Sequence, residues 1–349
     1  MEPLMPIDLT GGLDRAREHV FAKCPDTPGM RDAVNMWVSD DCGMLGLPRF
    51  AVEALAPRWD AHDLSVNIAF PGGRVLSVRG SGQTHRPEGP DGLPSVFGAG
   101  PLQFRCIEPF RCWETSFKGT AAQMTTVDQM NGALPGMGSA ADVEFRIEAT
   151  MAVPPFVQGQ LSTEAATQLV SGVEGNFMGG DRYEQLFRAN GMLRIGSEVH
   201  TFTGSGLRIR RQGVRKIEGF WGHCWQSALF PSGRGFGYIA YPPRPDGSSS
   251  YNEGYLYEGD GELIPARVVH APWLGKLQAN AQDVSVVLES KRGKVTIEGE
   301  TVLSTFAMGR PEMPPDFPVL QQAGARYRYD AEETYGMIER SSPKDKITR

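Results

Sequence analysis

The feature that most limits this fold is strict two-residue alternation in short runs. Leu64, Val66, Ile68 and Phe70 fall on one side of an extended chain, with Ser65, Asn67 and Ala69 on the other. Successive side chains of a strand point to opposite faces, so such a run predicts a half-buried β-strand. Pro71-Gly72-Gly73 then turns the chain and Val75 to Val78 returns, which reads as a β-hairpin. Val143, Phe145 and Ile147 alternate with Asp142, Glu144, Arg146 and Glu148. Tyr255 and Tyr257 precede the turn Gly259-Asp260-Gly261, whose residues tolerate positive φ. Val284, Val286 and Leu288 lead through Lys291-Arg292-Gly293 into Val295 and Ile297. Many strands joined by short Gly-containing turns predict an all-β sandwich or barrel.

Helical spacing is confined to two places. Leu13, Ala16, Val20 and Phe21 predict a short N-terminal helix, and Thr163 to Val170 a second one. Gly80 to Gly100 and Gln129 to Ala141 read as loops, Asp40-Asp41-Cys42-Gly43 as a turn, and Gly204-Ser205-Gly206 as a turn between strands. A length of 349 residues suits two domains. The strand pattern lapses between Pro154 and Gly180, which places the expected boundary between an N-terminal domain, 1–165, and a C-terminal domain, 166–349.

Several function classes are disfavoured. The net charge is −6 and Lys and Arg are scattered, whereas nucleic acid needs a concentrated basic face. No apolar run approaches the ~20 residues of a membrane-spanning helix. Met1-Glu-Pro-Leu-Met-Pro6 lacks the pattern of a signal peptide. The five cysteines form no Cys-x-x-Cys pair, which suits a reduced, cytoplasmic protein. The six histidines have no metal-ligand spacing, and no phosphate-binding glycine motif stands between strand and helix. No metal or other cofactor is expected. Oligomeric state is not legible, and a homodimer is compatible with the sequence.

The densest polar–aromatic stretch runs from Tyr183 to Tyr257. It holds Tyr183 and Glu184, then Arg208, Arg210, Arg211 and Arg215, then Trp221, His223 and Trp225, then Tyr251, Glu253 and Tyr255. Strand parity puts Arg208 and Arg210 on one face, with Ile209 and Arg211 on the other. Trp221, His223 and Trp225 likewise share a face. Alternate residues of a barrel strand face the lumen, and aromatic walls with a few polar groups suit a small-molecule pocket. Arginines on strands are more often solvated or paired with acids, and a histidine between tryptophans is as often structural as proton-carrying.

Tyr183-Glu-Gln-Leu-Phe-Arg188, then Gly191-Met-Leu-Arg-Ile-Gly-Ser-Glu-Val-His200, then Gly204-Ser-Gly-Leu-Arg208, resembles the second domain of tandem lipocalin-like proteins related to carotenoid 1,2-hydratase (hydroxyneurosporene synthase) and AttH. The Trp37 strand, the Pro71-Gly-Gly-Arg-Val-Leu76 hairpin and the closing strand Tyr335-Gly-Met-Ile-Glu339 are similar too. The resemblance implies two tandem calycin-type antiparallel β-barrels. The family has a motif resembling Arg-Asp-His-Ser-Trp-Gly-x-Arg. Arg208, Gly213 and Arg215 fit it, while Ile209, Arg210, Arg211 and Gln212 replace its Asp, His, Ser and Trp. Ile209 cannot protonate an alkene as the family's acid residue is thought to do.

The resulting expectation is a cofactor-independent lyase or isomerase. Its substrate would be a hydrophobic, aromatic or terpenoid- or steroid-like molecule with an acidic group. Arg208, Arg210 and Arg215 would hold the acid, since a guanidinium bonds both oxygens of a carboxylate. Trp221, Trp225 and Tyr255 would line the pocket, and His223, Tyr183 or Glu184 would move the proton. The alternative is a non-catalytic carrier of a hydrophobic ligand.

Overall fold

The computed structural model describes residues 7–244, 246–309 and 316–348. Antiparallel strands dominate and form two sheets. The first contains β1 (Met30–Asp40), β2 (Gly46–Leu55), β3 (Arg58–Ala69), β4 (Arg74–Gln83), β5 (Val96–Ala99), β6 (Leu102–Glu108), β7 (Cys112–Thr125), β8 (Ser139–Met151), β9 (Phe156–Val157), β10 (Asp181–Ile195) and β11 (Glu198–Val214). Its order is β4-β3-β2-β1-β11-β10-β8-β7-β6-β5. Pairing of Arg74–Ser77 in β4 with Ala122–Thr125 in β7 closes eight of these strands into a ring. The second sheet contains β12 (His223–Leu229), β13 (Gly235–Ala240), β14 (Asn252–Tyr257), β15 (Ile264–His270), β16 (Val286–Ser290), β17 (Gly293–Ala307), β18 (Val319–Tyr329) and β19 (Glu332–Ser342). These pair in chain order, and β12 meets β19 to close a barrel. The expected tandem-barrel, all-β architecture is the one observed, and closure removes the exposed sheet edges.

The chain passes from one sheet to the other between Val214 and His223, not at 165/166. The lapse in alternation is real, because α2 (Thr163–Ser171) and α3 (Glu174–Met178), which follow the short α1 (Thr126–Met130), lie there. The chain then returns through β10 and β11, which supply the wall between β1 and β8. A break in local pattern marks an excursion here rather than a domain limit.

Each lumen holds a hydrophobic core. The first is filled by Val34, Met36, Phe50, Phe104, Phe145 and their neighbours. Phe50 and Phe104 stack with centroids 5.7 Å apart. Cys224, Phe236, Tyr238, Ala325 and Tyr327 belong to the core that fills the second. A third cluster lies between the barrels: Trp37, Leu186, Leu207 and Ile209 of the first meet Trp225, Leu229, Ile239 and Tyr255 of the second. Strand parity explains this layering. On β1, Val34, Met36 and Val38 turn inward while Trp37 turns out toward the second barrel.

Two local expectations are corrected. Gly204 to Gly206 is the middle of β11 rather than a turn. A Cβ at Gly206 would stand 2.6 Å from the Phe187 ring, so the glycine makes room for that ring across the strand. The N-terminal helix shrinks to a 3₁₀ turn, Arg15–Glu18, capped by the Asp14 carboxylate on the Ala16 N–H. The chain leaves helical geometry at once because Glu18 is drawn into the first barrel by Arg208 at 2.8 Å and by the Trp113 Nε1 donor at 2.7 Å. All five cysteines are free thiols. No helix among the described residues is long and apolar enough to cross a membrane.

Candidate functional site

A cavity of about 530 Å³ lies between the outer walls of the barrels. The outward faces of β1, β2 and β11 contribute Asn35, Trp37, Arg49, Ile209 and Arg211. The second barrel contributes His223, Trp225, Ile239, Tyr241 and Glu339, and α3 adds Phe177 and Met178. Trp37 meets Trp225 edge to face, with centroids 4.8 Å apart at 78°. Phe177, Phe220 and Tyr241 continue the aromatic wall. Such walls take up apolar surface while a few polar groups set orientation.

One polar group is the pair His223–Glu339, brought together by the closing contact of β12 with β19. His223 Nε2 lies 3.1 Å from Glu339 Oε1, and its Nδ1 lies 2.7 Å from Ser341 Oγ. Burial would raise the Glu339 carboxyl, but the hydrogen bond from His223, the charges of Arg49 and His223 and the Gln322 amide outweigh it. They hold it well below the usual carboxylate range. An ionised Glu339 only accepts, so Nε2 carries a proton. In the neutral ring Nδ1 then accepts from the Ser341 hydroxyl.

The other polar group is a set of arginines. Arg31 pairs with Glu53, and Arg58 with Asp63 at 2.6 Å. Arg49 lies 3.8 Å from Glu339 and over the Trp37 ring. Arg215 donates from Nε to the Phe177 carbonyl at 2.6 Å. Arg182 Nη1 sits 2.6 Å from Glu184, off the hydrogen-bond direction, with its guanidinium over Trp225. Arg211, 6% exposed, stands directly across the ladder from Arg182. Its side chain makes no ion pair or hydrogen bond among the described residues, and its buried Nε has no partner.

Of the residues expected in the site, His223, Trp225 and Arg215 line this cavity. Trp221 stands behind its wall, edge to face with Phe177, tilted against Tyr241, and donating to the Pro242 carbonyl. Arg208 and Arg210 do face the lumen of their barrel, as parity requires, and neither lines the cavity between the barrels. Arg208 pairs with Glu18 and Gln185, and Arg210 with Asp32 and the His19 carbonyl. Tyr183 belongs to the same knot through Glu18 and the Arg17 carbonyl. Glu184 is buried behind Trp225, which donates to it at 3.0 Å. Tyr255 packs on Phe156 in the layer between barrels. Tyr183, Glu184, Arg208, Arg210 and Tyr255 therefore lie outside the cavity lining.

Sequence reasoning did not single out Trp37, Arg49, Tyr241 and Glu339 as site residues. Parity offered one usable signal: Arg211 and Arg215 share a face with Ile209. Nothing local announced Glu339, which meets His223 across 116 positions. No group of three or more His, Cys, Asp or Glu among the described residues could hold a metal ion.

A family model described as "Domain of unknown function (DUF7064)" matches residues 23–344. A search of curated proteins found no match. Among solved structures, a protein described as AttH from Nitrosomonas europaea superposes with TM-score 0.53 at 13% identity, covering 93% of this chain and 98% of that one. CghA superposes with TM-score 0.52 at 12% identity, covering 90% and 88%. Kievitone hydratase from Nectria haematococca gives 0.48 at 9% identity, covering 97% and 94%. The first two share the fold of this chain, in line with the resemblance read from its sequence.

Proposed function

The chain belongs to the DUF7064 family, and for this member we propose that the inter-barrel cavity binds a hydrophobic small molecule and moves a proton on it without a cofactor, as a lyase or isomerase. The observation that carries this reading is the His223–Glu339 pair set in an aromatic wall. The burial of His223 and Glu339, 12% and 10% exposed, strengthens the pull of Glu339 on a protonated ring, and the aromatic surfaces hold an apolar skeleton still. His223 then delivers its proton to the bound molecule, or receives one, while Glu339 balances the charge. The substrate class in view is aromatic or terpenoid-like.

Hydrogen–deuterium exchange tests the reading directly. Hydrophobic compounds shown to bind are incubated with the protein in deuterium oxide and weighed by mass spectrometry. Deuterium uptake or conversion, lost in His223→Gln, is the expected result. Compounds that bind and emerge with unchanged mass would sink the enzymatic reading. One observation favours the second reading, a carrier: both ring nitrogens of His223 are already engaged, by Ser341 and Glu339, as in a structural strut. Binding without exchange is the outcome that reading requires.

A further inference from the structure

A buried arginine is ordinarily matched by a carboxylate, because a desolvated cation without a partner is costly. The protein follows this rule at Arg208 and Arg210. It breaks the rule at Arg211. That side chain is almost wholly buried, lies across the ladder from Arg182, and has no anion within ion-pair distance among the described residues. Like charges placed directly opposite on a sheet repel. Burial first, then the charges of Arg215 and Arg182, press the Arg211 pKa well below the usual arginine value against the opposing pull of Glu53, which is already paired with Arg31. The Tyr241 phenol lines the same cavity, and its one hydrogen-bond partner among the described residues is the Met178 sulfur at 3.8 Å. Burial pushes that phenol up to about 12 against the pull of the same three arginines, so it stays protonated and able to donate.

We propose that Arg211, flanked by Arg182 and Arg215 and assisted by the Tyr241 hydroxyl, is the anion pole of the inter-barrel cavity and takes the carboxylate or other anionic oxygen group of its ligand. The proposal rests on the reading of this cavity as a ligand site and adds the class of ligand: an apolar skeleton with an acid at one end. Trp37, Trp225 and Phe220 would receive the skeleton. The planar fork of Arg211 would bond two oxygens at once. Local strain in the empty protein becomes affinity when the anion arrives, the usual sign of a functional rather than a stabilising charge.

Two dyes with one ring system test this. 1-Anilinonaphthalene-8-sulfonate carries an anionic oxygen group, and N-phenyl-1-naphthylamine is the same skeleton without it. Fluorescence titration of the full chain should show the sulfonate bound at least about tenfold tighter than the neutral dye, as expected of a charge-assisted contact. Arg211→Met should erase that preference, weakening the sulfonate about tenfold while the neutral dye changes by less than about twofold. Empty Arg211→Met should melt no lower than the parent, because an unpaired buried cation has been exchanged for an apolar chain of similar length. Arg211→Lys, which keeps a charge but not the fork, should fall between the two. Equal loss of both dyes, an unchanged sulfonate affinity, or a variant that melts lower or does not fold would overturn the proposal. If the neutral dye binds and the sulfonate gains nothing, the anion pole fails while the cavity stands. If neither dye binds, the cavity itself is refuted as a ligand site.

Discussion

Arg208 and Arg210 point from β11 into the first barrel, whereas Arg211, the next residue, points out of it toward the second. The inward pair meets Glu18 and Asp32, and the side chains of all four are at most 1% exposed. The outward residue stands across the ladder from Arg182 and makes no ion pair among the described residues, although the charge of Glu53, in register beyond Ala33, reaches it. The inward charges are closed upon themselves and tie the N-terminal segment to the barrel. The outward charge is left open, and it borders the cavity. The difference teaches that a buried charge with a built-in partner binds the fold to both members of the pair, since losing either one strands the other, whereas a buried charge without one is the candidate for an outside partner.

The largest expected effect lies on the inward side. Glu18→Ala removes the anion shared by Arg208, Tyr183 and Trp113, leaves a cation unpaired, and should cost about 3–5 kcal/mol in urea unfolding. A loss below about 1 kcal/mol would break the contrast with Arg211. Replacing both partners, as Glu18→Leu with Arg208→Met, should recover much of that loss.

A pH scan comes next. Burial raises Glu18 and Glu339, but their charged and hydrogen-bonded partners outweigh it and leave both pKa values lowered in the folded protein. Their stabilisation is therefore fully present above the unfolded value of about 4.3 and is lost as pH falls through the depressed folded values. Thermal melts should hold steady from neutral pH to near about 5 and drop steeply below about 4. Glu339→Gln should have a shallower acid limb than the parent. An identical limb would mean that Glu339 is not held ionised by His223 and Arg49.

Ser341→Ala should cost only about 1 kcal/mol, since Nδ1 and the backbone N–H of His223 lose one shared partner. Its sharper readout is the imidazole nitrogen NMR spectrum, in which the tautomer set by Ser341 and Glu339 should lose definition. At the low end, Arg86→Ala removes an exposed pair with Glu88 and should leave the melting temperature unchanged.

The strands were legible where alternation met a turn. Leu64 to Val78 and Val284 to Ile297 form the hairpins that their periodicity announces. The parity of β11 was legible too, since Arg208 and Arg210 do share a face. What parity could not say is which face meets a ligand. In a protein of two barrels a junction strand has protein on both sides, so lumen-facing no longer means pocket-facing. The deciding partner of Arg208 is Glu18, 190 positions away, in a segment whose local spacing suggested an amphipathic helix. The Glu339 partner of His223 was equally remote, and only closure of the second barrel joins them. Tertiary charge pairing overrode local propensity in the N-terminal segment, and at the C-terminal end it joined two strands whose local reading was right.

The cavity belongs to the seam and to neither core. Trp37, Ile209, Arg211, Ile239 and Tyr241 line the cavity and turn away from the lumens, and all but Arg211 also belong to the apolar cluster that joins the two barrels. The residues that shape the cavity are thereby distinct from those that fill the lumens, divided by the parity of the strands. Descendants of such a chain could drift widely in what they bind while their hairpins and lumens stay constant.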